Sequence, residues 1–214
     1  MNKFVISSLS NIWWSSDLHI NHKNICKATS TWPEGGQRDF NSIEEMNNTI
    51  IDNINNCVMP DDIFFILGDL TFGHPYNLYD LRNKINCKNI YVILGNHDRN
   101  LRDNKPIKTE SKGLIYPQSL FTEVVNHKEI YVDEQKIVMN HFAFKVWNQS
   151  HHGSWNLYGH SHGSLSSKGK QLDVGIDNAF NIFGEYRPFS FDEIKSIMDN
   201  IDIKYVDHHN LETD

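Results

Sequence analysis

Histidine, aspartate and asparagine recur at the ends of short apolar runs in this chain. Asn89-Ile90-Tyr91-Val92-Ile93-Leu94 runs into Gly95-Asn96-His97-Asp98, which sets an amide oxygen beside an imidazole. Asn11 to Ser16 leads into Asp17-Leu18-His19, and Asp62 to Leu67 into Gly68-Asp69. Gln135 to Met139 leads into Asn140-His141, and Trp155 to Tyr158 into Gly159-His160-Ser161-His162. One such ending means little, because a lone His is more often structural. Five in one chain point to divalent metal. Asp17 and Asp69 offer carboxylates, Asn96 an amide oxygen, and His19, His141, His160 and His162 imidazoles, with His97 to spare. Mixed oxygen and nitrogen donors suit borderline ions, Mn2+ foremost, with Fe2+, Zn2+ and Ni2+ as the others.

Such side chains need strands to carry them. Each run is short, apolar and rich in β-branched or aromatic residues, which reads as a buried strand. In open α/β sheets, ligands gather at the carboxyl ends of strands. Asp17 and His19 are alternate residues, so an extended backbone would turn both to one face. Gly95 is expected to supply a sharp turn through positive φ. Between Asp62–Leu67 and Ile90–Leu94, Tyr76 to Ile85 reads as a helix, so the three form a βαβ unit with parallel strands. That brings Asp69 and Asn96 to one edge. Ser42-Ile43-Glu44-Glu45 opens an amphipathic helix bearing Ile43, Met46, Ile50, Ile54 and Cys57, which stops before Met59-Pro60. Ser190-Phe191-Asp192-Glu193 opens another, to about Asn200. Thr31–Asp39 and Lys145–Gly153 read as loops, Ile20–Ala28 as a short helix or ordered loop, and Arg99–Pro117 as an irregular connection. Asp133-Glu134 reads as a hairpin turn, and Leu172 to Gly175 as the last strand. No repeat or linker divides the chain, so residues 1–214 are expected to form a single domain, with about the first ten residues and 207–214 peripheral.

Composition narrows the function. The chain has 214 residues, 39% hydrophobic and 22% charged, enough for one sizeable core. Its formal charge of −7 speaks against an extended nucleic-acid surface. There are 12 histidines, an unusually high number. Cys26, Cys57 and Cys87 form no CxxC pair and no disulfide framework, which points to a reducing compartment, the cytoplasm. No apolar run is long enough to span a membrane, and Met1 to Trp14 lacks the pattern of a signal peptide. The bias to Asn, Lys and Ile hints at an AT-rich source, a phage or its host cell.

The ordered series Asp-x-His, Gly-Asp, Gly-Asn-His-Asp, a lone His and Gly-His-x-His resembles the calcineurin-like metallophosphoesterase superfamily. Asp17-Leu18-His19-Ile20-Asn21-His22-Lys23-Asn24-Ile25 and Val146-Trp147-Asn148-Gln149-Ser150-His151 are similar to segments of its compact bacterial and phage branch. The resemblance implies an α/β fold in which two facing mixed β-sheets are flanked by helices. It implies two divalent ions per chain. Asp17, His19 and His162 would hold one, and Asn96, His141 and His160 the other. Asp69 would bridge them, and His97 would face the substrate. Two such ions, about 3.5–4 Å apart, grip a phosphate and acidify a bridging water. The resulting hydroxide attacks phosphorus, while His97 stabilises the transition state or protonates the leaving oxygen.

The departures from the family's patterns matter. Phosphoprotein phosphatases follow the bridging Asp with a Val-Asp-Arg-Gly type sequence and use Gly-Asn-His-Glu. This chain has Leu70-Thr71-Phe72-Gly73 and ends the other motif in Asp98, so the phosphate-clamping Arg and the usual His-orienting Asp are missing from those places. The expected reaction is therefore hydrolysis of a small or nucleotide-like phosphodiester. The alternatives are a nuclease or nucleic-acid end-processing enzyme, then a phosphoprotein phosphatase or a non-catalytic scaffold, and the retained ligand set argues against the scaffold. His22, Lys23, Arg38, Arg99 and Arg187 could meet phosphate, although the plain reading of each is a surface charge or a local hydrogen-bonding residue. Trp147, Trp155 and Phe180 read as core rather than as stacking platforms. His151, His152, His208 and His209 take no role, and nothing sets an oligomeric state.

Overall fold

Apolar runs bounded by glycine become the strands of two sheets in the computed structural model, which describes residues 4–33, 35–109, 113–166 and 168–206. In the first sheet β2 (Ile12–Ser15), β3 (Ile63–Ile66), β4 (Asn89–Ile93) and β7 (Glu123–Val125) lie parallel, in that order. β12 (Phe189–Ser190) pairs antiparallel on the outer side of β2. The second sheet runs β1 (Val5–Ile6), β8 (Lys128–Val132), β9 (Gln135–Met139), β10 (Trp155–Tyr158) and β11 (Gln171–Asp173). Its β8–β9 pair is an antiparallel hairpin turning at Asp133-Glu134, and its other pairs are parallel.

Both faces of the first sheet are buried, so its strands show unbroken apolar runs rather than alternation. Side chains still alternate between two cores. Phe64, Ile66, Ile90 and Val92 face α1 (Ile43–Cys57) and α2 (Tyr76–Lys84). Trp14, Phe65, Leu67 and Ile93 face the second sheet, where they meet Ile130, Ile137, Met139 and Leu157. Trp14 stacks on Phe65 at 5.5 Å. Ser42 caps α1 through the Glu45 amide, and α5 (Phe191–Asp199) begins with a complete Ser190–Glu193 capping box. No helix among the described residues is long and apolar enough to cross a membrane.

Several stretches differ from expectation. The connection after residue 98 is not irregular throughout: it holds α3 (Arg99–Asp103) and a small hairpin of β5 (Ile107–Thr109) and β6 (Gly113–Ile115). Ile20–Ala28, expected as a short helix or ordered loop, does carry two single tight helical turns, Lys23–Ile25 and Lys27–Thr29, the second running one residue past it. The first residues are not wholly peripheral, since Val5–Ile6 is an edge strand and Ile6 is buried. Leu172 does not lie in the last strand, because β12 follows. α4 (Ile176–Phe183) was not expected at all: Gly175 caps it with no side-chain bond, so no start signal marks it. The tail 207–214, with His208 and His209, lies outside the described residues.

Candidate metal centre

The two sheets present the carboxyl ends of their parallel strands to one another, and a bridge between Ser16 and Gly175 joins them there. Beyond β2 the chain keeps bonding to its neighbour. The Asp17 and His19 amides donate to the carbonyls of Gly68 and Asp69, both at 3.0 Å. Asp17 and His19 reach the same site, but not by strand alternation. Both have left-handed φ, 56° and 52°, as do Asp69 at 56°, His160 at 67° and His162 at 49°. That conformation is unfavourable for residues with a Cβ and concentrates where function over-determines the backbone. Gly95, by contrast, is not at positive φ. It is needed for close approach, because a Cβ there would collide with the Asp69 carboxylate and backbone. Gly159 likewise lies against Ser16 and Asp17, across the seam between the sheets.

Each of the two carboxylates is fixed by one oxygen and free with the other. Asp69 Oδ1 accepts the His97 amide at 2.8 Å, while Oδ2 stands 3.9 Å from His19 Nε2 and 3.5 Å from His141 Nε2. Asp17 Oδ2 accepts the His160 amide at 2.8 Å, while Oδ1 faces His19 and His162 Nε2 at 3.7 and 3.8 Å. Two groups result, Asp17–His19–His162 and Asp17–Asp69–His141, each with donor atoms within 4.8 Å of one another. Asn96 Oδ1 adjoins the second group, 2.9 Å from His141 Nε2, and the His160 ring lies 5.3 Å from that of His141. His97 belongs to neither group. Its ring packs on Phe72 at 4.7 Å and borders the hollow above the site. Phe72 contacts His19, His22 and His97.

These residues fit a divalent cation. Asp17 is fully buried, which pushes its carboxyl up to about 7 against the pull of His162 and His141. Burial drives His19 well below its ordinary value, and Arg38 adds to the effect. Asp17 Oδ1 and His19 Nδ1 are both buried without a hydrogen-bond partner. The parallel His19 and His162 rings bring Nε2 to Nε2 at 3.2 Å. A carboxylate pushed toward protonation beside imidazoles with converging lone pairs is the strain that a bound cation relieves. At Asp69 burial acts upward, but the bond and charge of His141, the His97 amide and the charge of His19 together outweigh it and hold the carboxyl below its usual range. At His141 burial acts downward, and Asp69 and Asp17 overcome it, raising the imidazole to about 9.

Other groups orient these. Asp177 on α4 accepts from His162 Nδ1 at 2.6 Å, which leaves Nε2 aimed at Asp17 and His19. Asp177 is itself held by Arg38, whose guanidinium donates to both its oxygens at 2.8 Å and to the carbonyls of Asp17 and Leu18 at 2.7 and 2.8 Å. Burial alone would raise Asp177; Arg38 outweighs it and keeps the carboxyl far below the carboxylate range. Arg38 is therefore a local hydrogen-bonding residue rather than a phosphate ligand or a surface charge: it is 1% exposed and occupied. Asp98 does not orient His97. Its carboxylate accepts from the amides of Asp69, Leu70 and Gly95 at 2.8, 3.0 and 2.8 Å, tying the loop after β3 to the loop after β4. Asp173 does the same for Gly163 and Gly175, both at 2.8 Å.

The remaining candidates divide. His22 borders the site, its Nδ1 accepting from the Ile25 amide. Lys23 is exposed, Arg99 is exposed beside Asp103, and Arg187 pairs with Glu193 over the Phe183 ring. None of these three borders the hollow that holds His19, Asp69 and His97. Trp147 and Trp155 are buried as expected, but Phe180 is 43% exposed. Sequence reasoning missed Asp173 and Asp177. A signal existed: Leu172-Asp173-Val174-Gly175-Ile176-Asp177 is a further apolar ending with acids, though without a His.

Comparison with known proteins agrees with this geometry. The family model for calcineurin-like phosphoesterases matches residues 10–210. An uncharacterized protein of Methanocaldococcus jannaschii is 27% identical over 201 residues, 90% of this chain and 93% of that protein. The gene 66 protein of Mycobacterium phage L5 is 26% identical over 195 residues, 79% of this chain and 87% of that protein. The crystal structure of a protein of unknown function from Aquifex aeolicus shares the fold, with a TM-score of 0.59 at 17% identity, over 88% of this chain and 99% of that one. The chain belongs to the calcineurin-like phosphoesterase family, and with it to the metal-dependent phosphoester hydrolases.

Proposed function

We propose that the protein is a phosphodiesterase that works with two divalent ions, Mn2+ foremost, on a small or nucleotide-like phosphodiester. One observation carries the reading. The carboxylates of Asp17 and Asp69 are each fixed by a backbone amide through one oxygen and turn the other toward imidazoles. Asp17, His19 and His162 would hold one ion, and Asn96, His141 and His160 the other. The free oxygen of Asp69, between His19 and His141, suits it to touch both. When bound, the pair supplies Lewis acidity for the phosphoryl oxygens and for the attacking water. Asp177 fixes which His162 nitrogen faces the site, and the Leu67 carbonyl, 2.7 Å from Nδ1, does so for His141. His97 is free of both groups and borders the hollow, where it would stabilise charge or protonate the leaving oxygen.

The stretch Leu70-Thr71-Phe72-Gly73 after Asp69 carries no arginine and Arg38 is already occupied, which leaves little to hold a phosphomonoester dianion. That supports a diester, which bears one charge less. The three cysteines are free thiols, in keeping with a reducing cytoplasm. The test is turnover of bis(p-nitrophenyl) phosphate against p-nitrophenyl phosphate with Mn2+, before and after chelation. The diester should turn over faster, activity should vanish on chelation and return with metal. Full activity in metal-free protein would refute the reading, and a preference for the monoester would refute the diester part of it.

A further inference from the structure

The centre has a compartment on either side. One is a cleft of about 660 Å³ that runs from His160 and His162 past Gly36 to Phe180, Asn181 and Tyr186. The other is a hollow of about 200 Å³ that shares His160, His162 and Gly36 and holds His97, His22 and Trp32. Phosphate seated between them would send one ester arm into each. His97 borders the smaller hollow, so the leaving group belongs there and the retained arm belongs in the cleft.

The cleft has a shelf. The Phe180 ring stacks on Tyr186 at 4.4 Å and 12°, and Tyr186 is backed by Phe40 at 5.3 Å and by the Arg38 guanidinium at 5.7 Å. One face of Phe180 is therefore fixed against a rigid stack, while the residue as a whole stays 43% exposed. An open aromatic face on a rigid support is what a planar base stacks on. Asn181 adds an amide, donor and acceptor together, that makes no hydrogen bond among the described residues. Apart from imidazoles, the charged groups lining the cleft are Arg38 and Asp177, which neutralise each other. Among the described residues the cleft therefore offers no free cation to a second phosphate and suits a neutral planar arm.

We infer that the cleft is a nucleoside subsite in which the base of the retained arm stacks on Phe180 and meets Asn181 at its edge. This rests on the diesterase reading above and names its substrate class, a nucleoside 5′-phosphodiester. Two substrates with the same leaving group test it: thymidine 5′-(p-nitrophenyl phosphate) and methyl p-nitrophenyl phosphate. Wild-type protein with Mn2+ should favour the thymidine ester in kcat/KM. Phe180→Leu keeps apolar packing on Tyr186 and removes the π face. It should lower that preference about 5- to 150-fold, the equivalent of a stacking contribution of roughly 1–3 kcal/mol, and Phe180→Trp should restore it. A second readout needs no turnover. Saturation-transfer NMR on metal-free protein should show contact with the base protons of thymidine 5′-monophosphate, and Phe180→Leu should weaken it.

A preference that survives Phe180→Leu overturns the subsite. So does a Phe180→Leu variant whose sedimenting mass falls, because the ring then covers a protein partner. If wild-type protein turns over neither ester, the diesterase reading fails, and the NMR contact still decides whether the cleft takes a base.

Discussion

Asp69 presents one oxygen to two imidazoles from different sheets, and that makes it the residue whose chemistry is hardest to replace. Asp69→Asn keeps an acceptor for the His97 amide but removes the negative charge facing His19 and His141. Manganese retained per chain after desalting should fall further in Asp69→Asn than in His162→Ala or His141→Ala. The reverse order would make Asp17, common to both groups of donors, the shared ligand. His97 separates binding from chemistry. His97→Ala should keep its metal and lose about 10²–10⁴-fold in rate on diesters with alkoxide leaving groups, and less with nitrophenolate, which needs little protonation. Equal losses on both would leave His97 an electrostatic role without proton donation. The residues around these atoms were legible in the sequence because each follows an apolar run within a few positions. Arg38 and Asp177 were not, since their side-chain partners lie 20 and 15 positions away or more, and two of the three partners of Asp98 lie 28 or 29 away. Only folding reveals such pairings.

At the scale of elements, loops rather than strands hold the site in shape, and buried polar groups hold the loops. Arg38 clamps the loop after β2 to α4, so removing it leaves the half-buried Asp177 with His162 as its remaining partner. Arg38→Ala should cost about 3–5 kcal/mol, read as a lower urea midpoint at unchanged m-value. A variant within 1 kcal/mol of wild type would mean that water replaces the clamp. The capping box of α5 gives a pH dependence. At Glu193 burial acts upward, but Arg187 and Ser190 outweigh it and hold the carboxyl below its ordinary 4.5. A carboxylate lowered on folding contributes its stability above the unfolded value and loses it as pH falls through the folded one. The stability difference between wild type and Glu193→Gln should therefore be flat from neutral pH to about 5 and close below 4.5. A difference that widens in acid would reverse the sign of the shift. Helices with capping serines were legible in the sequence. α4 was not, because glycine caps it without a side-chain bond and its Asn178 and Asn181 are weak helix formers.

Across the whole molecule, the pairing of β3 with β4 followed from strand–helix–strand spacing, whereas the sheet to which the outermost strands belong could not be read. β1 lies beside β8, and β12 beside β2, across long stretches of chain, and strands of two and three residues carry too little pattern to announce a partner. Because metal should bind only when both sheets are docked, loading should stabilise the fold by mass action, about 2.7 kcal/mol at a hundredfold excess over Kd. A melting temperature indifferent to Mn2+ would show that the site does not depend on docking. The bridge from Ser16 to Gly175 adds a matter of timing. Synthesis proceeds from the amino end. Asp17 and His19 are made first, yet His162 comes far later, and Asp177, which aims it, later still. A nascent chain that has released only β2, β3, β4 and β7 holds half a site, without His141, His160 or His162. If the centre binds metal as proposed, its ligand set is incomplete until the chain is nearly made, so metal uptake would mark a finished chain, and in refolding it should trail the return of secondary structure.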